Sequence, residues 1–127
     1  MRALVIDDSR AMRRIVEGIL GGLGFEVRQA ADGREALDVL DGGWLPDLAT
    51  VDWNMPVMDG LQFVSAVRSN PARRGITIMM VTSESEQTQI VKALAAGAHE
   101  YLIKPFTADA IRDKLALLGL LPEEVVL

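Results

Sequence analysis

Leu4-Val5-Ile6-Asp7-Asp8-Ser9 joins a short apolar run to two acidic residues and a hydroxyl side chain. A continuous apolar run of this length is typical of a strand buried on both faces of a sheet. The next segment has the apolar spacing of a helix, at Met12, Ile15, Val16, Ile19, Leu20 and Leu23. Ser9 or Asp8 can cap that helix, and Gly21, Gly22 or Gly24 can end it. The stretch therefore predicts a strand followed by a helix.

The same alternation of strand and helix continues along the chain. Further strands are predicted at residues 25–28, 47–52, 76–81 and 101–103, and the segments that follow them have helical apolar spacing. Five β-α units in a row predict an α/β fold with a parallel sheet covered on both faces. The alternating pattern of residues 25–28 favours an edge strand, whereas residues 76–81, the most apolar strand, favour a central position.

Composition limits the classes of function that need to be considered. The 127 residues carry 13 basic and 18 acidic side chains, a net charge of −5, and the chain has no cysteine. Disulfides, thiolate zinc sites and cysteine nucleophiles are thereby excluded. The acidic excess argues against binding to nucleic acid or to an anionic membrane. Because neither a signal peptide nor a membrane-spanning stretch is evident, we expect one domain in the cytoplasm.

Polar side chains end four of the five predicted strands. Asp7 and Asp8 follow the first strand, Asp52 the third, Thr82 the fourth and Lys104 the fifth. In open α/β sheets the working site lies beyond these carboxyl ends. Three facing carboxylates repel one another unless cations lie among them. Lys104 supplies one positive charge, and Mg²⁺, which prefers oxygen ligands, is the cofactor that this arrangement predicts.

Four motifs in order give the chain a family resemblance. They are Val5 to Ser9, Asp52 to Pro56 with Asp59-Gly60, Val81-Thr82-Ser83, and Ala96-Gly97-Ala98 leading through Tyr101 to Lys104-Pro105-Phe106. The chain resembles the receiver domains of bacterial two-component response regulators, and among them the stand-alone chemotaxis regulators of the CheY type. The resemblance implies a flavodoxin-like, doubly wound, five-stranded parallel sheet in the order 2-1-3-4-5 with five helices. It also implies a receiver domain over residues 1–121 and a short tail at 122–127 with no output domain.

The resemblance also implies the chemistry of the site. Asp52 is the expected acceptor of a phosphoryl group from a histidine kinase. Asp8 is expected to bind Mg²⁺ directly, Asp7 mainly through water, and Asp52 and the backbone carbonyl of Asn54 to complete the protein ligands. Lys104 is expected to contact the phosphoryl oxygens. The chain then catalyses only its own phosphorylation and dephosphorylation and is otherwise not an enzyme.

Further residues receive roles in switching and in the lifetime of the phosphoryl group. Thr82 is expected to turn inward and hydrogen-bond the phosphoryl group, and Tyr101 to follow it from an exposed to a buried position. Asn54 and Glu84 are expected to flank the path of the attacking water and to tune dephosphorylation. In the family the peptide bond before Pro105 is cis.

The expected partners follow from the same resemblance. A histidine kinase or histidine phosphotransfer protein would dock on the first-helix face, where Met12, Arg13 and Arg14 are either plain surface or kinase contacts. A downstream target would bind the fourth helix, fifth strand and fifth helix, including Tyr101 and Phe106. We expect a monomer.

Other functions fit the residues less well. A flavodoxin-like redox protein needs a phosphate-binding loop after the first strand, where Asp7 and Asp8 would repel a phosphate. A haloacid-dehalogenase-type phosphatase needs a second acid at the position of Asn54. A degenerate scaffold would lack the phosphorylation residues that are present here. The remaining alternative is a phosphorelay intermediate that passes its phosphoryl group to a histidine phosphotransfer domain.

Two more predictions concern residues outside the site. His99, the only histidine of the chain, is interpreted as structural. Met79, Met80 and Phe63 are interpreted as core packing.

Overall fold

The computed structural model describes residues 1–121, so the tail predicted at residues 122–127 lies outside the described part of the chain. Within residues 1–121 the strands are β1 (Arg2–Ile6), β2 (Glu26–Ala30), β3 (Leu48–Val51), β4 (Thr77–Thr82) and β5 (Glu100–Ile103). The α-helices of the same range are α1 (Arg10–Gly22), α2 (Gly33–Asp41), α3 (Gly60–Arg68), α4 (Gln87–Ala96) and α5 (Ala108–Leu117). A short 3₁₀ turn, Pro71–Arg73, precedes β4. None of the helices described in residues 1–121 is long and apolar enough to cross a membrane.

All neighbouring strands are parallel, and the sheet has the order β2-β1-β3-β4-β5. The predicted α/β fold and its strand order are confirmed, and β2 lies at an edge as predicted. Residues 76–81, predicted to lie centrally, form β4, an interior strand between β3 and β5, while β3 is the middle strand. Every residue of β3 is buried and β4 is nearly so, since both have neighbours on each side. Apolarity therefore distinguishes interior strands from edge strands, but it does not rank them.

Helices cover both faces of the sheet, and alternate strand residues point to opposite sides. On one face Val5 packs with Leu20 of α1 and Ile111 of α5. On the other face Ile6 belongs to a cluster that includes residues of α2, α3 and α4. Phe63, Met79 and Met80 are fully buried, which confirms their predicted place in the core.

The helix N-termini place the loops at the carboxyl ends of the strands. Side chains accept a hydrogen bond from the first turn of four helices, at Ser9 for α1, Asp32 for α2, Asp59 for α3 and Thr107 for α5. These caps satisfy amide groups that would otherwise have no partner at a helix start. The loops that lead into these four helices therefore end at a fixed residue, close to the edge of the sheet where the polar residues lie.

Helix α4 differs from the other helices in what it buries. Ala93 is its fully buried residue, while Val91 and Leu94 are 57% and 43% exposed. Among the apolar residues of this helix, Ile90 is partly buried and packs against the core, whereas Val91, Leu94 and Ala95 are exposed. Helical spacing predicts the helix correctly, but it cannot tell a surface that packs on the sheet from one that faces outward.

Candidate functional site

Three carboxylates meet at the carboxyl ends of β1 and β3. Asp7, Asp8 and Asp52 each offer an oxygen within 4.8 Å of the other two. The two strands are adjacent and in register, with Ile6 opposite Val51, so the residues that follow them are brought side by side. Asp7 and Asp52 are 4% and 7% exposed, whereas Asp8 is exposed. The structure thus brings together the three acids that the sequence singled out.

Lys104 reaches this cluster from the end of β5. Its Nζ donates to Asp7 Oδ2 at 2.7 Å and lies 3.7 Å from Asp52 Oδ2. The Lys104 amide also donates to the Thr82 carbonyl at 2.9 Å, which extends the β4–β5 pairing to the rim. The Lys104–Pro105 peptide bond is cis. One ammonium group is therefore shared between two carboxylates.

The electrostatics of Asp52 show that this positive charge is not sufficient. Burial, and then the charge of Asp7, raise the pKa of Asp52 above its ordinary value. Lys104, Thr82 and the Trp53 amide act in the opposite direction, the last by donating to Asp52 Oδ1 at 2.8 Å. Since the net shift of the pKa is upward, Lys104 and the hydrogen bonds do not fully offset burial and the charge of Asp7. Hard carboxylate oxygens fit a divalent metal ion.

A glycine holds the Asp52 backbone against α3. The Gly60 amide donates to the Trp53 carbonyl at 2.9 Å, and a Cβ at position 60 would lie 2.2 Å from the Asp52 carbonyl oxygen. Any larger residue would have to move either α3 or the end of β3. The loop between them contains Asn54, which is exposed. Asp59-Gly60 belongs to one of the sequence motifs, but the motif itself does not indicate this contact.

Thr82, Glu84 and Tyr101 form a connected group beside the acids. Thr82 is fully buried, and its Oγ1 accepts a hydrogen bond from the Glu84 amide at 3.2 Å. Tyr101 is 8% exposed, and its hydroxyl donates to the Glu84 carbonyl at 2.6 Å. Burial, followed by the charges of Glu84 and Asp52, raises the pKa of Tyr101. Tyr101 is therefore buried in this structure, and its movement from an exposed to a buried position stays a prediction.

Of the three α1 residues left open by the sequence, Arg13 is not plain surface. Its Nη1 donates to the Asp7 carbonyl at 2.7 Å, whereas Arg14 is exposed and Met12 is partly buried. The sequence contained no local signal for this contact, because it depends on how α1 returns over the end of β1.

Comparison with known proteins identifies the family. The family model of the response regulator receiver domain matches residues 3–116. The chain belongs to this family, whose members are signalling switches of two-component systems rather than enzymes in the ordinary sense.

Individual relatives that are similar to this chain are chemotaxis proteins of the CheY type. The chain is 42% identical over 116 residues to the chemotaxis protein CheY1 of Helicobacter pylori, which covers 91% of this chain and 94% of the relative. It is 40% identical to the chemotaxis protein CheY of Pseudomonas aeruginosa, over 91% of this chain and 93% of the relative. The structure of the Vibrio cholerae chemotaxis protein CheY4 superposes with a TM-score of 0.84 at 37% identity, covering 91% of this chain and 96% of the other. The chain is thus a CheY-like receiver domain, and such domains interact with kinases and with downstream targets.

Proposed function

We propose that this protein is a phosphorylation-activated switch of the chemotaxis type, in which Asp52 accepts a phosphoryl group from a histidine kinase in a Mg²⁺-dependent reaction. The observation that carries the proposal is the convergence of Asp7, Asp8 and Asp52 within 4.8 Å of one another, with the ammonium group of Lys104 beside Asp7 and Asp52. The raised pKa of Asp52 supports it, since a carboxylate that lacks positive charge benefits from a bound cation.

The acids and one carbonyl provide the metal ligands in this proposal. Asp8 and Asp52 would hold Mg²⁺ directly, Asp7 mainly through water, and the Asn54 backbone carbonyl would complete the protein set. Asp7 already accepts from Lys104, which is consistent with a less direct role. When bound, the ion supplies positive charge to the phosphoryl oxygens and holds them in place.

The chemistry is a transfer of one phosphoryl group between two nucleophiles. A carboxylate oxygen of Asp52 attacks phosphorus, a P–O bond forms, and the P–N bond of the phosphohistidine breaks with its electron pair going to the imidazole. Phosphoryl transfer depends mainly on positioning and on stabilisation of charge. Lys104, whose Nζ lies 3.7 Å from Asp52 Oδ2, would donate to the transferred oxygens.

The signal would pass from the phosphoryl group through Thr82 and Tyr101. A hydrogen bond from Thr82 to a charged oxygen contributes about 1.5–3 kcal/mol. Reversing a population from 1:99 to 99:1 requires about 5.5 kcal/mol, so one such bond is too weak to create the active form alone. We therefore expect phosphorylation to shift an equilibrium that the unphosphorylated protein already samples. The bond from Tyr101 to the Glu84 carbonyl is the contact that would mark the active form.

Two exposed or partly exposed residues would tune the lifetime of the phosphoryl group. Asn54 lies two residues after Asp52, and Glu84 lies two residues after Thr82. Both follow strands that end at the acidic cluster, where a water molecule must approach phosphorus. Polar side chains at these two positions leave that path open to water, and the protein should therefore lose its phosphoryl group spontaneously.

Two surfaces would carry the protein contacts of a cytoplasmic monomer that binds neither nucleic acid nor membrane. The phosphodonor would dock on α1, next to Asp7 and Asp8. The downstream target would bind α4, β5 and α5, where Val91 and Leu94 are exposed apolar residues. Exposed apolar side chains on one helix are a reasonable basis for a protein contact.

The test is intact-mass measurement after incubation with a small-molecule phosphodonor, with and without Mg²⁺. Wild-type protein should gain one labile phosphoryl group only with Mg²⁺, and Asp52→Asn should gain none. Asp109→Asn, which removes an exposed carboxylate at the start of α5, is the matched control and should behave as wild type. If wild type gains nothing from the small donor or from a cognate histidine kinase, the proposal is wrong. Return of the phosphoryl group to a histidine phosphotransfer protein would instead favour the relay function.

A further inference from the structure

Arg13 occupies a position that the helix alone disfavours. Arg10, Arg13 and Arg14 place three positive charges at the start of α1, and the N-terminus of a helix carries partial positive charge of its own. Cations are normally favourable at the opposite end. The location of Arg13 therefore calls for a contact that compensates for it.

That contact joins three elements of the fold. Arg13 Nη1 donates to the Asp7 carbonyl at 2.7 Å, and its Nε donates to Gln29 Oε1 at 3.0 Å. The Gln29 amide in turn donates to the carboxylate of Glu17, one turn further along α1. Arg13 thus connects α1 to the end of β1 and to the penultimate residue of β2.

With Arg13 in place, every polar group of Asp7 has a partner. The Asp7 amide donates to the Ala30 carbonyl at 3.1 Å. Its side-chain oxygens accept from the Ser9 amide at 2.9 Å and from Lys104 at 2.7 Å. The carbonyl oxygen is the remaining polar atom, and Arg13 is its donor. Loss of Arg13 would remove the donor of the Asp7 carbonyl, which belongs to the peptide unit that joins Asp7 to Asp8.

The Asp7 carbonyl matters because it shares a peptide plane with the Asp8 amide. The peptide unit is planar, so a hydrogen bond to this carbonyl fixes the orientation of the whole Asp7–Asp8 link. Asp8 is exposed, and its position therefore depends on the backbone that carries it. Through this peptide unit Arg13 affects the position of the Asp8 backbone and therefore of the Asp8 carboxylate. Arg13 itself is hydrogen-bonded to the Asp7 carbonyl and not to a carboxylate of the cluster.

We infer that Arg13 is a positioning residue for the acidic pocket: by holding the Asp7 carbonyl against Gln29 it sets the affinity of Asp7, Asp8 and Asp52 for a divalent cation. This inference rests on the proposed function, which assigns Mg²⁺ to that pocket. Residues that orient metal ligands through hydrogen bonds typically change metal affinity 10–100-fold when mutated. A charge effect alone would have the opposite sign, since removal of a nearby positive charge strengthens cation binding.

The test compares Arg13→Gln with Arg14→Gln, two changes that remove the same charge from adjacent positions on α1. Mg²⁺ is titrated into each full-length protein, and the Kd is measured from the fluorescence of Trp53, which is buried next to Asp52. Arg13→Gln should bind Mg²⁺ about 10-fold more weakly than wild type. Arg14→Gln, at an exposed position, should bind as well as wild type or slightly better.

A second variant tests the same contact from its other side, in case Arg13→Gln does not fold. Circular dichroism without Mg²⁺ checks that each protein is folded. Gln29→Met removes the partner of Arg13 Nε without changing any charge, and it too should weaken Mg²⁺ binding. Equal Kd values for Arg13→Gln and Arg14→Gln overturn the inference while leaving the proposed function intact. If the fluorescence of the wild-type protein does not respond to Mg²⁺, both the proposed metal site and this inference are wrong.

Discussion

The two ends of the sheet differ in how far their charged groups are compensated by partners. At the carboxyl end, Asp7, Asp8 and Asp52 lie close to one another, Lys104 contacts two of them, Asp7 and Asp52, and burial and the charge of Asp7 raise the pKa of Asp52. At the amino end, charged groups are matched to partners. The Arg28 and Arg2 guanidinium carbons lie 4.7 Å and 5.4 Å from the ring centroid of the buried Trp44.

Arg68 is the centre of the well-satisfied end. Its Nε donates to the Gly97 carbonyl at 3.0 Å, Nη2 to the Ile76 carbonyl at 2.8 Å and Nη1 to the Arg74 carbonyl at 3.2 Å. It thereby ties the end of α3 to the end of α4 and to the start of β4. The difference between the ends suits the proposed function, in which one end stabilises the fold and the other would use its uncompensated charge for chemistry.

The largest expected effect comes from breaking the satisfied end with Arg68→Met. The substitution keeps much of the apolar stem but leaves the carbonyls of Gly97, Ile76 and Arg74 without their donor. Hydrogen bonds from a charged group contribute about 1.5–3 kcal/mol each, and their losses overlap, so we expect a loss of about 3 kcal/mol. Urea unfolding followed by circular dichroism measures it.

Arg74→Met is the control for that experiment. Arg74 is exposed and contributes its carbonyl to Arg68, which the substitution retains. It should change the free energy of unfolding by less than about 0.5 kcal/mol. An Arg68→Met protein as stable as Arg74→Met would mean that the amino end does not anchor the fold.

At the other end, Asp52→Asn should make the protein more stable. The asparagine keeps the size of the side chain while it removes a buried charge that Asp7 repels. We expect the melting temperature in Mg²⁺-free buffer at neutral pH to rise by several degrees, even though phosphorylation is abolished. Differential scanning calorimetry measures the change.

The pH dependence of that gain has a defined sign. A carboxyl group whose pKa is raised on folding binds a proton more readily in the folded state, so the wild type gains stability as the pH falls through that raised pKa. The advantage of Asp52→Asn should therefore be full at neutral pH and shrink on acidification. A gain that is constant between pH 7 and pH 4 would contradict the electrostatic cause.

The site was predictable from sequence because strand ends and motifs are local. The runs that end at Asp7, Asp52 and Lys104 predict strands, and parallel strands bring their carboxyl ends to one rim. The helix caps at Ser9 and Asp32 were also readable, since capping depends on a few neighbouring residues.

The supporting contacts were not predictable, because they join distant segments. Arg68 and Gly97 are 29 positions apart, and the contact of Arg13 with Asp7 depends on the path of α1 over β1. The exposure of Val91 and Leu94 on α4 was not predictable for a related reason. Apolarity indicates burial, but it does not indicate which neighbour provides it.

A smaller effect tests whether the carboxyl end also holds backbone strain. Val57, in the loop after Asp52, has φ of 67° and a side chain that is 81% exposed. A left-handed conformation costs an ordinary residue roughly 1–2 kcal/mol and is least suited to a β-branched side chain. Val57→Asn should stabilise the protein by about 1 kcal/mol in urea unfolding, because asparagine tolerates this conformation.

Val57→Thr is the matched control, since threonine is also β-branched and should leave the stability within about 0.5 kcal/mol of wild type. If Val57→Asn and Val57→Thr are equally stable, the backbone at Val57 is not strained. The comparison between the two ends of the sheet would then rest on charge alone.

The smallest expected effect concerns His99, at the amino end. Its Nδ1 accepts a hydrogen bond from the Ile78 amide at 3.1 Å and lies 3.2 Å from Arg68 Nη2, so both contacts favour the neutral ring. Burial, and then the charge of Arg68, lower the pKa of His99. The unfolded chain therefore binds a proton more readily, and the stability linked to His99 is present above its unfolded pKa of about 6.5 and lost as the pH falls towards the folded value.

His99→Asn isolates this contribution, because the asparagine side-chain oxygen can accept from the Ile78 amide but does not titrate. Melting temperatures of the two proteins should run parallel above pH 7 and diverge below about pH 6.5, with the wild type falling faster. The effect should be modest, since the ring is largely exposed and solvent screens its charge. Parallel curves down to pH 5 would show that the ionisation of His99 does not affect folding in this range, which would sharpen the contrast with Asp52 at the acidic rim.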